Sequence, residues 1–77
     1  MSLHNDLLYI RGIVKNRCGY FSENMAALAL LWLTDAYNNG CDTRFLKDVA
    51  LEVKSWTDFR NMMSNYVEID DGVGNII

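Results

Sequence analysis

The segment MAALALLWL, Met25–Leu33, limits what this chain can fold into more than any other part of it. Ser22-Glu23 ahead of it supplies an N-cap and an acid in the first turn. Asn39-Gly40 behind it supplies a stop, because glycine tolerates the left-handed conformation that closes a helix. One helix therefore spans the interval. On it, Met25, Leu28, Ala29, Trp32, Leu33 and Ala36 share a face, and Leu30 and Leu31 carry the apolar surface well beyond that face. A helix apolar nearly all round is covered on several sides. In a chain of 77 residues this implies either a central helix among its neighbours or a helix partly covered by a second chain.

Three further segments have helical spacing. Leu3, Leu7, Ile10 and Val14 advance by steps of four, three and four. Asn5 or Asp6 is the expected cap and Gly19 the expected end, although LLYIRGIV also alternates as a strand would. A third helix is expected from Asp42 or Thr43 to about Lys54, with Leu46, Val49, Ala50 and Val53 inward. A fourth carries Trp56, Phe59, Met63 and Tyr66 and ends near Tyr66. The absence of proline suits long uninterrupted helices.

The tail YVEIDDGVGNII changes character. Asp71-Gly72 is a strong two-residue hairpin signal. Centring a turn there sets Val67 opposite Ile76 and Ile69 opposite Gly74, which gives one apolar and one mostly polar face. The expected fold is a mainly α single domain over residues 1–77. It is a small bundle of about four helices with a short C-terminal β-hairpin.

Few kinds of chemistry fit this composition. His4 is the one histidine, and Cys18 and Cys41 are the two cysteines. They do not make a zinc site, which takes four closely spaced ligands. A helix of roughly 16 residues between the cysteines would separate them by about 24 Å. A disulfide requires Cα atoms within about 7 Å, so free thiols are expected. EIDDG lacks the alternating acids and closing Glu of a calcium loop. Gly72 and Gly74 precede no helix that would cradle a phosphate. Ser22 and Ser55 read as helix caps rather than nucleophiles. No catalytic, metal or cofactor residue is expected, and the chain is not expected to be an enzyme. The N-terminus has no basic stretch leading into a long apolar run, and Met25–Leu33 falls far short of the about 20 residues that span a membrane. A cytoplasmic location with no membrane contact follows as an expectation.

Helix, helix, tight turn, helix, hairpin is the element order of a winged helix, and the chain resembles that architecture in order alone. The resemblance implies that helix four reads DNA through Thr57, Arg60, Asn61, Ser64 and Asn65. Charge argues against it. Arg44, Lys47, Lys54 and Arg60 are balanced by Asp42, Asp48, Glu52 and Asp58, and the expected wing adds Glu68, Asp70 and Asp71. The turn also lacks the usual glycine. Ser55 with Asp58 fits a capping box that brings helices three and four nearly end to end, whereas Thr57 as cap leaves a more ordinary turn. The favoured expectation is an interaction or regulatory protein whose partner is another protein or a second copy of itself. Leu30, Leu31, Ile76 and Ile77 are its contact residues. DNA binding is the alternative.

Overall fold

The computed structural model describes residues 2–69. They form four helices: α1 (Leu3–Cys18), α2 (Glu23–Asn38), α3 (Thr43–Glu52) and α4 (Trp56–Met63). The ambiguous segment around residues 7–14 is helix. Its cap is Ser2, earlier than Asn5 or Asp6: the Ser2 hydroxyl accepts from the Asn5 N–H at 3.2 Å. Gly19, at φ +86°, ends α1 by donating its N–H to the Lys15 carbonyl. In α2, Ser22 accepts from the Met25 N–H and donates its own N–H to the Met25 Sδ. Methionine thus fills the place a glutamate usually takes in a reciprocal cap. At its other end Cys41 donates to the Ala36 carbonyl, and Gly40 sits at φ +114°, which lets the chain reverse toward α3.

Ser55 is the cap of α4. Its hydroxyl accepts from the Asp58 N–H at 3.1 Å, and the Asp58 carboxylate accepts from the Lys54 N–H at 2.9 Å. The two bonds close the turn without glycine. Only Val53, Lys54 and Ser55 separate α3 from α4, and Val53 is buried.

The core takes Leu7, Ile10 and Val14 from α1, and Ala29, Trp32, Leu33 and Ala36 from α2. Leu46, Val49 and Ala50 of α3 and Phe59 and Met63 of α4 complete it, with Val53 and Val67 from the connecting chain. Trp32 stacks on Trp56 at a centroid distance of 5.3 Å, and Phe59 leans on both rings. Phe21 meets Trp56 edge-on, so the α1–α2 connection is fastened to α4. α1 and α3 run side by side in the same direction. Lys47 lies over the Tyr9 ring, and further along Arg17 Nε donates to the Val53 carbonyl at 2.6 Å.

The expected hairpin is corrected: no β-strand occurs among the described residues. Val67 and Ile69 do carry an apolar alternation, but it serves the core. Val67 donates its N–H to the Met63 carbonyl, which extends the last turn of α4, and its side chain is buried. The Tyr66 carbonyl is taken by the Asn39 side-chain amide at 3.1 Å. Backbone groups that a ladder would use are therefore already committed to helical neighbours. The expected turn at Asp71-Gly72 and the second strand lie outside the described residues. With α1 helical and no strand before α3, the winged-helix order falls as well.

Candidate functional site

The outward side of α2 exposes apolar side chains next to one another. Leu28 is 40% and Leu31 53% exposed, and Ala27 is also exposed. These three positions are neighbours at helical spacing. Asn24, Asp35 and Asn38 border them. α2 contains Glu23 and Asp35 but no Lys, Arg or His. Of the contact residues expected from the sequence, Leu31 is exposed on this face. Leu30 is half-buried and packs against the core, where its carbonyl accepts from the Thr34 hydroxyl at 2.8 Å. Ile76 and Ile77 lie outside the described residues. Leu28, expected on the buried face, belongs instead to the outward one.

The outer side of α4 is smaller than the sequence implied. Thr57, Asn61, Ser64 and Asn65 are exposed, and Arg60 is half-buried. α4 ends at Met63, so Ser64 and Asn65 belong to the turn beyond it. The Ser64 hydroxyl is engaged, donating to the Asn61 carbonyl at 2.6 Å. The remaining helical positions, Thr57, Arg60 and Asn61, span little more than one turn.

A third surface was not legible in the linear charge count. On α3, Arg44, Lys47 and Leu51 follow one another at helical spacing, and Lys47 lies over Tyr9 of α1. Glu52 stands on the other side of the helix's outward face. Tyr9 of α1, 62% exposed, and Arg17 complete this α1–α3 seam. Leu51 stands 47% exposed within it. A groove of about 370 Å³ opens at one end between Asp6, Tyr9, Ile10, Thr43, Arg44 and Lys47. The helical spacing of 44, 47 and 51 was the available signal. A second groove, about 250 Å³, lies between α1 and α2 beside Gly12, with Arg11, Lys15 and Glu23 on its walls. Arg11 there donates to the Ala26 carbonyl.

Both cysteines are free and half-buried. Burial, and secondarily the negative charge of Asp58, push the Cys18 thiol above its ordinary range, which disfavours the thiolate. His4 is exposed in the first turn of α1. Among the described residues, no three His, Cys, Asp or Glu side chains gather as metal ligands would. No helix there is long and apolar enough to cross a membrane.

No family model matches the chain, and neither a curated protein nor a solved structure proved similar to it.

Proposed function

We propose that this chain is a small interaction protein that acts by binding another protein, a second copy of itself included, through the outward face of α2. The observation that carries the reading is the exposure of Leu28 and Leu31 side by side with Ala27, in a helix whose opposite face is core. A contiguous exposed apolar patch bordered by polar residues marks an interaction surface more often than scattered leucines do. The reading gives the chain no chemistry of its own. Two free thiols suit a reducing compartment, and the reading places the protein in the cytoplasm. The outer side of α4 supports a nucleic-acid role poorly, since Arg60 is its one cation among Thr57, Arg60, Asn61, Ser64 and Asn65.

The test compares capture by the wild-type chain with capture by Leu31→Asp. Covering a leucine contributes about 1.5–3 kcal/mol, or roughly 10- to 150-fold in affinity. Leu31→Asp is expected to lose the captured partner while melting near the wild-type temperature, because the side chain supports no core contact. Equal capture by both chains would remove α2 as the binding face.

A further inference from the structure

We infer that the groove between α1 and α2 beside Gly12 binds a free α-amino acid with an apolar side chain. The inference is independent of the reading of α2 as a binding face, since Ala27, Leu28 and Leu31 do not line this groove. Gly12 is the first observation. Glycine is a poor helix former. Gly12 is not among the positive-φ glycines, and no neighbouring side chain closes on the place its Cβ would take. The fold gains nothing from glycine at this position. What the missing side chain leaves is open space in the wall of a groove of about 250 Å³. Glycine is the residue that lets a ligand approach the backbone closely.

The charges of the groove are the second observation. Arg11 and Lys15 stand one turn apart on α1, and Glu23 enters from the first turn of α2. Arg11 is fixed to α2 by its Nη1 bond to the Ala26 carbonyl at 3.3 Å. A guanidinium has five donors, and this bond uses one of them. Among the described residues, neither Lys15 nor Glu23 has an ion-pair partner. The groove thus offers two cations, one carboxylate and the apolar surfaces of Leu8 and Phe21. A free amino acid presents the complement on one small molecule. Its carboxylate meets Arg11 and Lys15, its ammonium meets Glu23, and its side chain lies on Leu8 and Phe21. Drug-sized ligands take pockets of about 300–1,000 Å³, and this smaller groove suits a smaller molecule. A phosphate or a plain carboxylic acid brings only like charge to Glu23. A peptide carries its ammonium and its carboxylate on different residues.

The experiment is proton–nitrogen correlation NMR on the full chain, titrated with leucine, N-acetylleucine, leucinamide and acetate. Leucine is expected to shift the amides of Gly12, Phe21 and Ser22 saturably. N-acetylleucine lacks the ammonium and leucinamide lacks the carboxylate, and each is expected to bind about tenfold more weakly. Acetate is expected to give no saturable shift there. Glu23→Gln is expected to erase the preference for leucine over N-acetylleucine. Gly12→Leu fills the groove with a good helix former and is expected to lose leucine binding without melting lower. Gly12→Ala, the smaller change, is expected to weaken leucine in the same direction. No saturable shift with leucine, or shifts confined to residues outside the groove, overturns the proposal. Acetate or N-acetylleucine binding as well as leucine also overturns it, as does leucine binding unchanged in both Gly12 variants.

Discussion

Gly12 is the substitution whose outcome the structure determines most sharply. It lies well inside α1, between Arg11 and Ile13, where glycine is a poor choice by propensity. The positive-φ glycines are Gly19 and Gly40, and Gly12 is not among them. Beyond its chain neighbours and the backbone of its own helix turn, a methyl group built on Gly12 meets no atom within 4 Å. Nothing in backbone conformation or packing therefore requires glycine there, and Gly12→Ala should be a gain without a compensating loss. In a helix interior alanine is favoured over glycine by about 0.8–1 kcal/mol. Part of the gain acts through the unfolded chain, which loses conformational freedom. For a domain of this size 1 kcal/mol corresponds to about 4–8 °C in melting temperature. Urea unfolding followed by far-ultraviolet circular dichroism measures it: the midpoint should rise with the slope unchanged. Gly19→Ala, at φ +86°, is the control and should move the midpoint the other way. A lower midpoint for Gly12→Ala would refute the placement of residue 12 as an unstrained helical position facing open space.

Ser55→Ala removes the acceptor of the Asp58 N–H and is expected to cost about 1 kcal/mol, read from the same urea midpoint. Phe59→Ala empties the centre of the aromatic cluster beside Trp32 and Trp56. The expected cost of about 3–5 kcal/mol is close to the whole stability of so small a domain, and loss of a cooperative melt with red-shifted tryptophan emission would register it. Cys18 should react with iodoacetamide more slowly than an unfolded thiol at mildly alkaline pH, as mass spectrometry would show. Its raised folded pKa also fixes a sign. The folded state holds the proton longer than the unfolded state, so stability should fall as pH rises from the ordinary thiol value of 9.0 through the higher folded one. Cys18→Ser should flatten that slope.

Helical spacing and caps were the most legible part of the fold. Ser22 caps α2 as expected, Ser55 rather than Thr57 caps α4, α3 starts at Thr43 with Asp42 as its cap, and Asn39-Gly40 stops α2. Ser2 was missed because Asn5 and Asp6 are equally good caps by type. What decides between them is that Leu3 through Asp6 continue the same helix. The tail misled for a different reason. Asp71-Gly72 is a strong local signal, but Val67 and Ile69 are claimed by a core that no local signal reveals, and tertiary burial overrode the pattern. On α2, leucine and alanine occupy almost every direction, so periodicity alone could not tell Leu28 from Leu33; one is exposed and the other buried. On α3, the net charge of zero hid that Lys47 leans toward α1 while Glu52 lies on the far side of the outward face. A sum over sequence discards the angle at which each side chain leaves the helix.

The central claim is that partners meet this protein at the outward face of α2. Its most direct test is site-specific photo-crosslinking in the host cell. A photoreactive residue is placed at position 31 in one chain and at position 61, on the outer side of α4, in another. The account predicts protein adducts from position 31 and an uncrosslinked chain from position 61. Adducts from position 61, to protein or to nucleic acid, with none from position 31, would contradict it.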